Sequence, residues 1–247
     1  MSTPTATVLK TEARLFGREP GSLFWVMLSP TLLLVVLGLI PSFREASEDL
    51  GGRRVIDLYV PVSVLFALIM SGLQAMPPVL SGYRERGILR RMSTTPVRPG
   101  ALLTAQLALH AAAALVSALL VVAVGRLAFG VALPGNPAGY LIALLLAVAS
   151  GLALGATVCA VSRTQKIATA VGSAVFFPAM FTAGVWVPVQ AMPDTLQRIV
   201  GLTPFGAASE ALDTAASGGW PGWAALGVMA LWTGVLTGAS VRWFRWQ

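Results

Sequence analysis

The chain alternates long uncharged apolar runs with short polar segments. Six runs each reach or nearly reach the length of a membrane-spanning helix, at residues 22–40, 58–80, 101–125, 127–162, 167–193 and 214–241. A hydrocarbon core about 30 Å thick takes about 20 helical residues to cross, and backbone groups inside it must bond within their own segment. The fourth run is too long for one crossing, and Pro134-Gly135-Asn136-Pro137 divides it, leaving residues 138–161 as the span. The pattern predicts an all-α polytopic membrane protein with six spans.

A shorter pattern precedes the first run. Over residues 5–19, apolar and basic side chains fall on neighbouring faces of a helix, which is typical of a helix lying in the membrane interface. The apolar face holds Leu9, Ala13 and Phe16, and the basic face holds Lys10, Arg14 and Arg18. We therefore expect an N-terminal connecting helix within residues 1–21 and a six-helix membrane domain over residues 22–247. The alternative for the first part is an ordinary charged tail.

The stretch between the fifth and sixth runs, at about residues 190–215, is apolar but interrupted. Pro193 and Pro204 break it, and Arg198 and Glu210 lie within it. Such a sequence does not make one lipid-facing helix, so we predict two short re-entrant helices that enter the outer leaflet and return. Broken backbone is tolerated at that depth only where protein or water covers it. A plain external loop is the alternative.

Charge is distributed unevenly between the two sides that this topology defines. With a cytoplasmic N-terminus, twelve of the 17 Lys and Arg residues lie inside, and the outer five are Arg44, Arg53, Arg54, Arg126 and Arg198. The positive-inside rule then places both termini in the cytoplasm. The net charge of +7 reflects this topology, so no nucleic-acid partner is expected. With 56% hydrophobic residues, 11% charged residues and a mean hydropathy of +0.77, the chain has no room for a sizeable soluble domain.

Several chemistries lack the residues that they need. The two lysines, Lys10 and Lys166, are not preceded by the glycines of a phosphate-binding P-loop. Because His110 and Cys159 are the single histidine and cysteine, we expect no metal site or catalytic pair, and His110 should hydrogen-bond a neighbouring helix. The central spans carry no Asp, Glu, Lys or Arg, which an ion-coupled carrier usually needs. We expect a protein that is not an enzyme, binds no cofactor itself and takes any energy from a partner.

The predicted cytoplasmic loop between the second and third spans is where such a partner would dock. Residues 81–92 indicate a short helix that extends the second span, and Pro96 ends it because a residue before proline is pushed out of the α region. A rigid charged helix between two spans can transmit a push along their axes. The alternative is a basic membrane anchor, but lipid anchoring does not require Tyr83, Glu85 or Gly87.

Two stretches carry a family resemblance: Tyr83 to Met92 followed by Thr95-Pro96-Val97, and Phe177 to Pro193 continuing to Leu202-Thr203-Pro204. At this spacing the chain resembles the membrane subunits of ABC-2 type (type V) ABC exporters, notably bacterial daunorubicin-type drug export permeases. The resemblance implies a location in the bacterial cell membrane and a coupling helix at about residues 81–95. It also implies a homodimer or heterodimer of permeases, each bearing a separate ATPase subunit that binds ATP and Mg.

The resemblance further implies two sets of functional residues. The ATPase would contact Tyr83, Arg84, Glu85, Arg86 and Gly87, with Arg14 and Arg18 nearby. Arg84 and Arg86 depart from the acidic residues common in the family before the glycine. The second and fifth spans would line the substrate pathway, with Phe66, Met70, Gln74, Phe176, Phe177 and Met180 as its candidates.

These observations favour a permease subunit that exports a hydrophobic or amphipathic, drug-like compound with energy from its ATPase partner. One alternative is an ABC-2 permease for a lipid-linked polysaccharide or another lipid. A second alternative is a non-transporting membrane scaffold or immunity protein, which would not co-purify with an ATPase.

Overall fold

The computed structural model describes residues 4–92 and 99–243, and this part of the chain is mostly helical. Its strand-like content is an isolated bridge between Ala46 and Arg54, so the predicted all-α fold class is confirmed. The described helices, in chain order, are α1 (Pro4–Phe16), α2 (Pro20–Gly38), α3 (Val55–Glu85), α4 (Ile88–Met92), α5 (Pro99–Phe129), α6 (Pro137–Val161), α7 (Gln165–Thr182), α8 (Asp194–Gly201), α9 (Pro204–Ala216) and α10 (Trp223–Trp243).

Within the described residues, five helices are long and apolar enough to cross a membrane: α2, α3, α5, α6 and α10. They match the predicted first, second, third, fourth and sixth spans, and they indicate a multi-pass membrane protein. The predicted fifth span, α7, has 18 residues and is not among the five. The run 167–193 is cut short because Gly184 adopts a positive φ of 86° and Pro188 follows it. The count of six spans therefore stays a prediction.

The start of the last span also differs from the sequence prediction. Residues 214–216 belong to α9, and α10 begins at Trp223. Between the two helices, Gly218 adopts a positive φ of 96° and Pro221 follows. These residues end one helix and start another inside a run that hydropathy alone treats as continuous.

The bundle has two ends, which carry different charged residues. Arg84, Arg86 and Lys166 lie at the end that also carries α1, and we call it the basic end. We call the opposite end, where α2 and α5 finish, the far end.

Two of the arginines at the far end are held by helix C-termini. Arg44 donates through Nε to the carbonyl of Gly38, the last residue of α2, and Arg54 donates through Nη1 to the carbonyl of Phe129, the last residue of α5, at 3.0 Å. Carbonyls at a helix C-terminus lack intrahelical partners and attract cations. A hydrogen bond to Asp57 also raises the pKa of the Arg54 guanidinium. Arg44 and Arg54 therefore cap the ends of α2 and α5, which gives each a structural role at the far end.

α3 lies at the centre of the bundle and is the most buried of the five spans. Its middle is a π-helical turn, Met70–Ala75, where α6 and α7 approach its backbone. A Cβ on Gly155 would overlap the carbonyl oxygen of Gly72, and a Cβ on Gly172 would lie 2.6 Å from the carbonyl oxygen of Leu73. A side chain at either position would force the helices apart, which is why small residues favour close helix packing in membranes. α3 therefore touches both α6 and α7 through its backbone.

The two short helices predicted before the last span are present as α8 and α9. α9 packs on α6, α10 and α3, with Phe205 and Leu212 fully buried. Trp232 of α10 donates through Nε1 to the carbonyl of Leu202 at 2.9 Å. At 1.5 Å per residue, this contact sets the junction of α8 and α9 about 13 Å along α10 from Trp223. The depth fits the predicted re-entrant path, whose position in a membrane stays a prediction.

The end of α9 is fixed to the far end of the bundle by polar contacts. Arg53 pairs with Asp213 at 2.8 Å and donates to the hydroxyl of Ser217 at 3.2 Å. Asn136, at the start of α6, donates to the carbonyl of Gly219 at 3.1 Å. The loop after α2 and the start of α6 are thus both attached to the chain between α9 and α10.

Candidate functional site

The last turn of α3 is fastened to the end of α6. The guanidinium of Arg84 donates through Nη1 to the carbonyls of Cys159 and Ser162, at 3.0 and 2.6 Å. Carbonyls at the end of a helix lack helical partners and carry partial negative charge, which suits a cation. Arg84 is half-buried and faces into the bundle, where it connects the second and fourth spans.

The neighbouring carboxylate fastens α3 to α7. Glu85 accepts through Oε2 a hydrogen bond from the backbone N–H of Gln165, at 2.9 Å. Gln165 is the first residue of α7, and N–H groups at a helix start attract negative charge. Arg84 and Glu85 together hold the turn between α6 and α7 against the end of α3. We call the contacts of Arg84 and Glu85 with Cys159, Ser162 and Gln165 the three-helix clamp.

The predicted single helix over residues 81–92 consists of two helices. α3 ends one residue before Arg86, and Gly87 adopts a positive φ of 67° before α4 begins. A residue with a side chain adopts that conformation at a cost that glycine avoids. Arg86 is exposed, and its guanidinium carbon lies 5.5 Å from the centroid of the Tyr83 ring. The predicted stop at Pro96 lies outside the described residues.

A buried carboxylate on α1 joins the connecting helix to two spans. Glu12 is 7% exposed and accepts through Oε2 from the hydroxyl of Tyr83, at 2.9 Å, and from the side-chain amide of Gln106 on α5. A buried charge is tolerated where hydrogen bonds satisfy it. Sequence analysis missed Glu12, and the available signal was an acidic residue between the basic Lys10 and Arg14. It lies one helical turn from Phe16, on the face that docks.

The basic face of α1 points away from the bundle. Arg14 on α1 and Arg18 just after it are exposed, as are Glu85 at the end of α3 and Arg86 just after it. The predicted apolar face is only partly covered, because Leu9 is 39% exposed. Charged side chains of both signs therefore lie accessible at the basic end of the molecule.

The six predicted pathway residues come together in one cavity of about 550 Å³ between α2, α3 and α7. Phe66, Met70 and Gln74 of α3 face Phe176, Phe177 and Met180 of α7 across it. The rings of Phe66 and Phe176 have centroids 6.5 Å apart, and those of Phe176 and Phe177 are 5.6 Å apart in an edge-to-face arrangement. We call this space the aromatic cavity. Its walls suit an apolar molecule because aromatic rings bury large apolar areas.

The first span supplies a wall of the aromatic cavity that sequence analysis did not foresee. Gly21, Ser22, Trp25 and Val26 of α2 line it, and Trp186 lines it after the end of α7. Trp25 and Trp186 are both more than half exposed. A period of apolar residues predicts a span, but it does not indicate which neighbouring spans enclose a cavity.

A second, more polar cavity of about 370 Å³ lies next to the first, at the basic end. It is lined by Glu19, Tyr83, Arg86 and Gln165 among others, and we call it the vestibule. The vestibule and the aromatic cavity share Ser22, Gln74 and Ala75 as lining residues, so the two spaces meet along α2 and α3.

His110 contacts a neighbouring span, as predicted. The hydroxyl of Ser71 on α3 donates to the backbone carbonyl of His110 at 2.9 Å and lies 3.3 Å from its Nδ1. The buried imidazole also meets the edge of the Phe16 ring, at a centroid distance of 5.5 Å. Within the described residues, no cluster of His, Cys, Asp and Glu could hold a metal ion. His110 thus helps to pack α1, α3 and α5 together.

Comparison with known proteins gives one family. The profile of the ABC-2 type transporter family matches residues 3–215, which is most of the chain. A search of the curated proteins returned no match. The matched region includes α1, the three-helix clamp, the aromatic cavity and nearly all of α9. Family membership makes the chain a permease component, and such permeases generally work with an ABC ATPase. The chain belongs to the ABC-2 type transporter family.

Proposed function

We propose that this chain is the permease subunit of an ATP-binding cassette exporter that moves a hydrophobic or amphipathic, drug-like compound out of a bacterial cell. A separate ATPase subunit supplies the energy and binds the ATP and Mg. The observation that carries the proposal is the aromatic cavity, whose two opposing walls belong to the same helices that the three-helix clamp joins at the basic end.

The mechanism follows from the continuity of α3. This helix carries Phe66, Met70 and Gln74 in its middle and Arg84 and Glu85 at its end. Because Glu85 also holds the start of α7, a displacement of the basic end moves both walls of the cavity. Closure of the ATPase subunits would provide that displacement as a rigid-body motion. The chain itself then contributes geometry and performs no bond-breaking chemistry.

We propose that the ATPase docks on the exposed charges at the basic end. Glu85, Arg86, Arg14 and Arg18 are accessible there, whereas Tyr83 and Gly87 are half-buried beneath them. Arg84 acts in this scheme through the clamp, because its guanidinium points into the bundle. The basic end is then cytoplasmic, with the connecting helix α1 in the interface and both termini on the same side.

A second permease subunit, identical or different, completes the pathway in this proposal. The outer face of α7 presents Ile167, Phe177 and Phe181, which are 44%, 59% and 38% exposed. Phe177 also lines the aromatic cavity, so a partner against this face would close the cavity on its open side. The short helices α8 and α9 would form an outer gate, through which the compound leaves the cavity.

The experiment that tests the function is compound-stimulated ATPase activity of the permease reconstituted with its ATPase subunit. Hydrophobic compounds should stimulate hydrolysis by the wild-type complex, and Phe176→Ala should raise the concentration that gives half-maximal stimulation about tenfold, since a compound that no longer packs on this ring loses about 1.4 kcal/mol or more of contact energy. Stimulation by polyprenyl-linked sugars alone would favour the lipid-linked alternative. Failure to form a stoichiometric complex with any ATPase would favour a scaffold.

A further inference from the structure

We infer that the vestibule receives the polar end of the transported compound while the aromatic cavity receives its apolar body. The cargo is then an amphiphile with one polar end, held with that end toward the basic end of the bundle. The inference rests on the proposed function, because it takes the aromatic cavity as the transport site.

The first step is the continuity of the two spaces. Ser22, Gln74 and Ala75 line both, so the two spaces are adjacent, and a ligand that extends past these three residues would occupy both. Their volumes, about 550 and 370 Å³, make the aromatic cavity the larger compartment and the vestibule the smaller one. The side-chain amide of Gln74 lies at the boundary, where a ligand passes from one to the other.

The second step is the contrast between their linings. Phe66, Phe176, Trp25 and methionines dominate the aromatic cavity, and none of the described residues that line it is charged. The vestibule presents a carboxylate from Glu19 and a guanidinium from Arg86. Placing a charged group among the aromatic rings without a partner is unfavourable, whereas the vestibule offers partners of both signs. The orientation of an amphiphile is therefore fixed by the protein.

The third step is the hydrogen-bonding capacity of the two charged groups. Glu19 accepts from the hydroxyl of Ser22 at 3.1 Å, and Arg86 donates through Nε to the carbonyl of Gly82 at 3.1 Å. Each of these contacts holds the side chain in place and uses one site of several, because a carboxylate has about four acceptor positions and a guanidinium has five N–H donors. Both side chains are exposed, so a ligand can reach the remaining positions. An anionic end would bind Arg86, and a cationic end would bind Glu19.

The test measures binding to the full-length permease in lipid nanodiscs without the ATPase. Three probes share a pyrene body: pyrenebutyrate with an anionic end, pyrenemethylammonium with a cationic end, and pyrenebutanol with a neutral end. Energy transfer from tryptophan to pyrene reports occupancy, since Trp25 and Trp186 line the aromatic cavity, and empty nanodiscs give the background. Omitting the ATPase separates recognition of the polar end from any role of Arg86 in coupling.

The expected result is a crossed pattern. Arg86→Gln should weaken pyrenebutyrate about tenfold and leave the other two probes within about twofold, because hydrogen bonds between charged groups contribute more to binding than neutral ones. Glu19→Gln should do the same for pyrenemethylammonium alone. Phe176→Ala should weaken all three probes. Matched controls are Arg242→Gln and Glu48→Gln, which remove exposed charges away from the vestibule and should change nothing.

Two outcomes would overturn the inference, and they are distinguishable. In the first outcome, the probes bind and Phe176→Ala weakens them, but Arg86→Gln and Glu19→Gln affect all probes alike or none. The vestibule then does not bind the polar end, and the aromatic cavity remains the proposed transport site. If no probe binds the wild-type permease, both the inference and the cavity as a transport site fail.

Discussion

Single polar side chains at the basic end each connect two or three helices. Arg84 holds the end of α6, Glu85 holds the start of α7, and Glu12 holds Tyr83 and Gln106. Glu12 depends most on its hydrogen-bond partners, because it is a buried carboxylate on a helix whose other charged side chains are exposed. Removing its oxygens would leave the hydroxyl of the half-buried Tyr83 and the side-chain amide of the buried Gln106 without this acceptor.

Replacing Glu12 should therefore destabilise the protein in a graded way. Glu12→Ala should lower the free energy of unfolding by about 2–3 kcal/mol, since unsatisfied buried donors cost about 1–3 kcal/mol. Glu12→Gln keeps an acceptor oxygen and should cost less than half as much. Thermal unfolding in detergent measures both, with the exposed Glu45→Ala as a matched control. Equal melting temperatures for Glu12→Ala and Glu45→Ala would show that the buried contacts contribute nothing.

Sequence patterns identified some of these residues as functional candidates and did not identify others. Tyr83, Arg84, Glu85 and Arg86 were found because their order resembles a family motif, but their directions were not. A helical period shows which residues share a face, and it does not show which face docks. The burial of Glu12 could not be predicted, because it depends on contact with Gln106, a residue 94 positions away in the sequence.

At the scale of elements, the junction between α3 and α4 depends on Gly87. Its positive φ of 67° is open to glycine, tolerated by asparagine and unfavourable for alanine. Apart from its two chain neighbours, no described residue has an atom within 4 Å of a Cβ at this position, so backbone conformation distinguishes the substitutions. The junction sets the direction in which α4 leaves the clamp.

Substitution of Gly87 should separate ATP hydrolysis from transport. We expect Gly87→Ala to shift α4 and to reduce export at least fivefold while membrane insertion and complex assembly remain normal. Gly87→Asn, which adopts the same φ more readily, should retain most export. The ratio of compound exported to ATP hydrolysed in proteoliposomes measures the effect. An unchanged ratio for Gly87→Ala would remove the junction from the coupling mechanism.

The π-helical turn of α3 is the second element with a specific requirement. Gly155→Ala should lower the free energy of unfolding by about 1–3 kcal/mol, as overpacking does, even though alanine favours a helix more than glycine. Gly227→Ala on α10 is the control, because no atom lies within 4 Å of its Cβ position. Thermal unfolding of the two variants compares them directly. A melting temperature for Gly155→Ala at or above that of Gly227→Ala would contradict the close contact of α6 with α3.

Helices with a long apolar sequence were predicted more accurately than features that depend on tertiary contacts. The first four spans were placed within about five residues because membrane crossing requires about 20 apolar residues, which hydropathy detects directly. The end of α7 and the start of α10 were misplaced because Gly184 and Gly218 stop helices inside apolar runs. The π-helical turn at Met70–Ala75 was not predicted, since it depends on backbone contacts with α6 and α7.

At the scale of the whole molecule, α3 connects the proposed ATPase surface to the proposed transport cavity. The clamp attaches α6 and α7 to α3, and α1 is attached through Glu12, so the proposed mechanism moves these helices together. The six candidate pathway residues were named from a family resemblance, and the structure brings all six into one cavity. The wall that α2 provides could not be read from the sequence, because packing between distant spans decides it.

The most direct measurement of the central claim is uptake of pyrenebutanol into sealed proteoliposomes. The permease reconstituted with its ATPase, with both subunits' cytoplasmic faces outward, should accumulate the probe against its gradient when ATP and Mg are added. Phe176→Ala should reduce this accumulation severalfold, and the permease alone should only let the probe equilibrate. Uphill accumulation by the permease without an ATPase, or full ATP-driven uptake by Phe176→Ala, would contradict the account.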